Sequence, residues 1–173
     1  MLLGSGFYSN SSYKITTSIV KLSSTFRYKI SIVWQTIPSV RSYDILGIGI
    51  NSNVKVNSAP YFSMTYCYSV NNCKTVQTSM KKFFTTGAGV TFKWTSENLT
   101  SANAYFYFDV SKNTNNTLKS LSAYGAYANA EKNVSVNVSD NYSVNSLGIN
   151  LNSTYLDSYN RHSKITASWT GSW

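Results

Sequence analysis

Acidic residues are scarce in this chain: six Asp and Glu stand against fifteen Lys and Arg, for a formal net charge of +9. The six are Asp44, Glu97, Asp109, Glu131, Asp140 and Asp157. They are scattered, so no sequence spacing supplies the paired carboxylates used in acid/base catalysis. Histidine occurs once, at His162, and cysteine twice, at Cys67 and Cys73. A zinc site needs three or four such ligands, so no metal site is expected. Gly87-Ala88-Gly89 lacks the third glycine and the following Lys-Ser/Thr of a phosphate loop, and reads as a hairpin turn. Asp157 and His162 share a serine-bearing stretch, but triad members converge from separate elements; the stretch reads as a polar turn before the last strand. No catalytic residue and no cofactor are expected, and the chain reads as a non-enzyme. No apolar run approaches the roughly 20 residues of a membrane-spanning helix. The start, Met1 to Phe7, is too short for a secretory signal, so a secreted or cell-surface location is expected from composition alone.

Charged residues make up only 12% of the chain, about half the usual share. Ser, Thr and Asn replace them, and good helix formers are sparse. Hydrophobic content is 42% and aromatic content 15%, too apolar for a disordered chain. Apolar and polar residues alternate with period two in segment after segment. Ile30, Ile32 and Trp34 share one face of 25–34, with Lys29, Ser31 and Val33 on the other. Phe106, Phe108 and Val110 oppose Tyr105, Tyr107 and Asp109. Val134, Val136 and Val138 alternate with Asn and Ser over 133–139.

Strands are expected at 12–22, 26–35, 43–50, 53–57, 60–70, 73–80, 89–95, 103–110, 120–130, 132–139, 142–152 and 163–170. Turn chemistry separates them at Ile37-Pro38-Ser39, Asn51-Ser52-Asn53 and 113–117. Short helical pieces at Glu97–Ala102 or Ser79–Phe84 are weaker alternatives. Short strands and no room for crossover helices imply an all-β fold. The expectation is an antiparallel β-sandwich (Ig-like or jelly-roll-like), with a barrel as the alternative. No repeat or linker divides the chain, so residues 1–173 are expected to form one β domain, with 1–11 as a mobile lead-in.

The cysteines admit two hairpin registers. A two-residue Asn71-Asn72 turn sets the sulfurs on opposite faces of the sheet. A longer loop centred on Val70 sets Cys67 directly across from Cys73, at disulfide distance. The symmetric placement favours the bonded register, as a staple and not a redox centre.

The chain holds 14 Tyr, 8 Phe and 4 Trp. Tyr suits sites with one wet end, and Tyr with Ser, Asn and Gly is the chemistry of adaptable recognition surfaces. The candidate binding residues are Tyr61, Tyr66, Tyr68, Lys81, Lys82, Trp94, Tyr105, Tyr107, Tyr124 and Tyr127. Lys81-Lys82-Phe83-Phe84 and Lys93-Trp94 interleave charge with rings as single-strand binders do. The other lysines are scattered, so nucleic acid is not the expected partner. The expected function is a secreted or cell-surface binding domain for a glycan, an anionic envelope polymer or a protein. One alternative is a small β-pore-forming or membrane-damaging protein in contact with membrane, motivated by the alternating stretch 132–154. Another is a structural subunit of a filament or particle joined through strand edges. Abundant Lys, Asn, Tyr, Ile and Phe resembles the composition of exported proteins from AT-rich bacterial or phage genomes, a likeness that implies no activity.

Overall fold

The computed structural model describes residues 1–77 and 79–173. Fourteen strands run β1 Leu2–Ser9, β2 Tyr13–Lys21, β3 Phe26–Trp34, β4 Tyr43–Gly49, β5 Val54–Val56, β6 Tyr61–Ser69, β7 Asn72–Val76, β8 Met80–Phe84, β9 Gly87–Lys93, β10 Ser101–Lys112, β11 Ser120–Ala130, β12 Tyr142–Asn145, β13 Gly148–Leu151 and β14 Tyr159–Thr170. Every pairing is antiparallel. The first sheet has the order β1-β2-β3-β10-β6-β7, with β5 paired to the end of β10; the second has the order β14-β11-β4-β9-β8. They pack face to face as a β-sandwich, not a closed barrel.

The first sheet has one dry and one wet face, which is why its strands alternate so cleanly. Ile15, Ile19, Phe26, Tyr28, Ile30, Ile32, Phe106 and Phe108 are fully covered and point into the core. Their neighbours Lys14, Thr16, Arg27, Lys29, Ser31, Tyr105 and Tyr107 point outward. Each fully buried Phe or Ile removes enough apolar surface to contribute about 1.5–3 kcal/mol.

The second sheet is dry on both faces along β4, β9 and the middle of β11, which read as near-continuous apolar runs instead, whereas β8 and β14 keep an exposed side. Leu46, Ile48, Val90, Phe92 and Tyr127 face the first sheet. Ile45, Ala126, Ala128 and Ala130 face the other way, under a cover formed by Val138, Tyr142, Val144 and Ile149. The β12–β13 hairpin supplies most of that cover. Small residues let it sit close: a Cβ on Gly47 would lie 2.8 Å from Val144, and one on Gly49 would lie 2.1 Å from the Asn145 carbonyl oxygen.

Several expectations are corrected. Residues 2–9, expected within a mobile lead-in, form β1 on the edge of the first sheet. The alternating stretch 132–139 is not a strand: Val136–Asp140 is a 3-10 turn, and only Val138 of it is buried. The turn's chain path serves the cover layer, where one valine anchors it. Residues 142–152 are two four-residue strands, not one. That hairpin is far shorter than the roughly 9–11 residues a membrane-crossing strand requires. Residues 80–84 form β8, and residues 97–102 hold no helix. Gly87, Ala88 and Gly89 lie within β9, with the turn one step earlier at Thr85-Thr86. Thr78, inside the 73–80 strand candidate, lies outside the described residues.

The cysteine hairpin takes the bonded register. Cys67 pairs directly with Cys73, Cα to Cα 4.0 Å, and the two form a disulfide. The loop nonetheless stays tight. Ser69 pairs with Asn72 across Val70-Asn71, and the additional residue, Tyr68, is taken up as a bulge.

Candidate functional site

Strand pairing brings Tyr61 beside Tyr105 and Tyr107 on the wet face of the first sheet. Tyr61 on β6 lies directly across from Tyr107 on β10, and Ser63 across from Tyr105. The serine is small and covered, which leaves room for the rings around it. Tyr105 and Tyr107 are two apart on one strand and stack nearly parallel, 7° between planes and 6.2 Å between centroids. Tyr61 lies 5.2 Å from Tyr107 and 5.9 Å from Tyr105, tilted by no more than 27°.

Two cations from β3 sit on these rings. The Arg27 guanidinium is 4.2 Å from the Tyr107 centroid, and the Lys29 ammonium is 4.6 Å from the Tyr105 centroid. Register explains the placement, because Lys29 pairs with Tyr107 and Arg27 with Asp109. Arg27 also holds Asp109 through two hydrogen bonds, at 2.8 and 3.2 Å, and this pairing raises the guanidinium pKa further. Its charge is therefore largely neutralised. Lys29 takes part in neither ion pair of the described residues. Partial desolvation and the neighbouring Tyr105 push the Tyr61 phenol pKa up, so this phenol can donate as well as accept hydrogen bonds at neutral pH. With stacking and cations on the ring faces, the group offers hydroxyls and one available charge.

The other candidates lie elsewhere. Tyr66, Tyr68 and Trp94 meet in a small groove of about 250 Å³ beside the disulfide hairpin, with Lys74, Val76 and Glu97. Tyr66 and Trp94 form its floor and are buried. Tyr68 donates to the Glu97 carboxylate at 2.6 Å, which lowers the pKa of that acid. Trp94 and Tyr127, expected at the surface, belong to the core. Tyr124 is half-buried and donates to Asn51. Lys81 is exposed on β8, while Lys82 is engaged by Asp140 and the Ser139 carbonyl. Of the two basic-aromatic runs, Lys81, Phe83 and Lys93 are exposed, while Trp94 is buried. His162 packs tilted against Tyr8 at 4.8 Å and edge-on against Tyr13 at 5.4 Å. Its Nε2 is buried without a hydrogen-bond partner among the described residues, and burial lowers its pKa. Asp157 is exposed in the 3-10 turn Ser153–Ser158.

Trp94 and Tyr127 are buried because they hold an acid. Asp44 is fully covered. Its carboxylate accepts hydrogen bonds from Trp94 Nε1 at 2.8 Å, Tyr127 Oη at 2.6 Å, the Ala130 backbone N–H at 2.8 Å and Asn129 Nδ2 at 3.3 Å. Trp34 Nε1 donates in turn to Tyr127 Oη. Burial pushes the Asp44 carboxyl up from an ordinary 3.8 to about 6, against the downward pull of these donors. The folded chain thus holds this proton more tightly than the unfolded chain. The resulting stabilisation is present in acid and is lost as pH rises through about 6. Asp44 should therefore make the fold about 2 kcal/mol more stable near pH 4 than near pH 7. Urea midpoints across that range check this; a profile that is flat or falls towards acid contradicts it.

The molecule is an antiparallel β-sandwich whose wet sheet face carries an ordered group of tyrosines and cations. No protein-family model matches the chain, and no curated protein matches it. One solved structure with some likeness is described as "AvmM Catalyzes Macrocyclization in Alchivemycin A Biosynthesis". The likeness has 7% sequence identity, 68% of this chain and 74% of that chain covered, and a TM-score of 0.25. At that score it carries no argument about chemistry.

Arg27 and Lys29 are the site residues that sequence reading misses. Their outward parity on β3 is legible, since Lys29 opposes Ile30 and Ile32. That β3 lies next to β10, and in this register, is decided by long-range pairing.

Proposed function

We infer that the protein is an exported binding module that lays the wet face of its first sheet against an anionic polymer, an acidic glycan or envelope polyanion. The observation that carries this reading is Lys29, a cation steadied on the Tyr105 ring at 4.6 Å, outside the described ion pairs, among three half-buried phenols. A flat sheet face suits an extended chain of repeating units better than a compact ligand. Phenols and neighbouring hydroxyls such as Ser31 and Thr16 can donate to carboxylate, phosphate or sugar oxygens. The net charge of +9 raises the rate of encounter with any polyanion.

Calorimetric titration with polygalacturonate, a teichoic acid and uncharged dextran tests the reading. One or both polyanions should bind, with affinity falling as salt rises, and dextran should not. Lys29→Ala should weaken binding about threefold, the effect of an exposed charge. Tyr105→Ala combined with Tyr107→Ala should weaken it about tenfold, near 1.4 kcal/mol. Equal binding of dextran, or wild-type affinity in both variants, would overturn the assignment to this face.

A further inference from the structure

The largest described cavities include a cleft of about 460 Å³ at one end of the sandwich, remote in character from the tyrosine face. That volume falls within the roughly 300–1,000 Å³ of small-ligand sites. Its walls come from four parts of the chain: the approach to β2, the β3–β4 loop, the end of β11 and the start of β14.

The lining mixes apolar and polar residues. Ile37, Pro38 and Val40 are its half-buried apolar members, while Tyr13 is buried. Polar residues, among them Ser12, Thr36, Ser39, Asn129, Glu131 and Asn160, make up most of the rest. Asn129 and Asn160 are brought together by register, as direct partners across β11 and β14. Asn129 commits its amide nitrogen to Asp44 at 3.3 Å, so the group it retains for a ligand is its carbonyl oxygen, an acceptor. Glu131 is exposed and belongs to neither described ion pair, so its carboxylate is a second acceptor. No Lys or Arg lines the cleft, which is unusual in a chain with fifteen of them. A ligand here must bring several donors and an apolar face, and gains nothing from negative charge.

We propose that this cleft binds one uncharged pyranose-like sugar unit, its C–H face against Ile37 and Pro38 and its hydroxyls donating to Asn129 and Glu131. A pyranose, with hydroxyls on its edge and C–H groups on its faces, matches such a mixed lining. The Asp44 network holds Asn129 in place from beneath, so the acceptor is set before the sugar arrives. The proposal does not depend on the polyanion reading, since the two sites share no residue and one selects an anion while the other selects an uncharged ligand.

Amide NMR spectra of the full chain, titrated with methyl glucoside, N-acetylglucosamine, glucuronate and glucosamine, test it. An uncharged sugar should shift the side-chain amide signals of Asn129 and Asn160, with a dissociation constant on the order of 1 mM, typical of a single small contact surface. Glucuronate should bind at least about fivefold more weakly than the uncharged sugar, a difference near 1 kcal/mol. Glu131→Ala and Asn160→Ala, both at exposed positions, should each weaken binding about three- to fivefold, again near 1 kcal/mol. Three outcomes would overturn the proposal: no response to an uncharged sugar, glucuronate bound as tightly, or glucosamine alone bound. Unchanged affinity in both variants would overturn the assignment to these residues, and the wild-type glucuronate comparison stands even if a variant fails to fold.

Discussion

Asp44→Ala should cost about 3–5 kcal/mol of folding stability, as stranding several buried donors at once does. The reason is what remains behind. Trp94 Nε1, Tyr127 Oη, Asn129 Nδ2 and the Ala130 N–H all donate to this one carboxylate. Its removal strands them in the interior, and each buried donor without an acceptor costs about 1–3 kcal/mol before relaxation. Asp44→Asn does not escape the problem. Its amide oxygen can serve the Ala130 side or the Trp94 and Tyr127 side, and its NH₂ then faces donors on the other. Tyr127 cannot easily turn to accept, since Trp34 already donates to it at 3.1 Å. Asn should therefore cost less than Ala but more than about 1 kcal/mol. Both variants should also lose the gain in stability between neutral and mildly acidic pH. Urea unfolding near pH 7 and near pH 4 measures both effects. A loss below about 1 kcal/mol for Ala, or an acid gain that survives it, would show that the carboxylate does not organise this core.

Gly4→Ala combined with Gly6→Ala should lift β1 off the molecule, at a cost of about 3 kcal/mol or more from two unfavourable insertions. Both glycines run along β14 without hydrogen-bonding to it as a ladder. A Cβ on Gly4 would lie 2.0 Å from the Ser168 carbonyl oxygen, and one on Gly6 would lie 2.0 Å from that of Thr166. These are backbone atoms within a paired strand, so neither can yield as a flexible side chain would. With β1 displaced, Tyr8 would leave His162 and the edge of β14 would be uncovered. Amide exchange should rise across residues 2–9, and limited proteolysis should cut there first. If the double variant keeps native protection in β1, the close approach of the two strands is not required by the fold.

How much of this was readable in advance depends on which sheet a strand joined. The first sheet's strands carry the alternation of a half-wet surface, so their faces can be assigned before pairing is known. Phe106, Phe108 and Val110 point inward and Tyr105, Tyr107 and Asp109 outward, as the pattern implies. The middle of the second sheet, β4 and β9, has no such contrast. Ile45 and Leu46 face opposite cores and are both fully buried. The hairpin that makes this so lies about a hundred residues later in the chain. Val134, Val136 and Val138 show the opposite failure, a strand-like pattern spent on anchoring a turn through one residue. In the sequence, the polar tips of Trp94 and Tyr127 point to a surface position, since such a tip usually seeks water; in the fold each tip is satisfied by a buried acid instead.

What the sequence determined by itself is the local preference of each segment: extended backbone, its turns, and, where one side stays wet, which side chains turn inward. These depend on neighbours one or two residues away. Tertiary structure decided which strands meet, and therefore which residues share a site. Tyr61 and Tyr107, Lys29 and Tyr105, and Asp44 and its donors are separated by dozens of residues. Their meeting is set by the register that gives the lowest free energy across the whole core, a quantity no single segment contains.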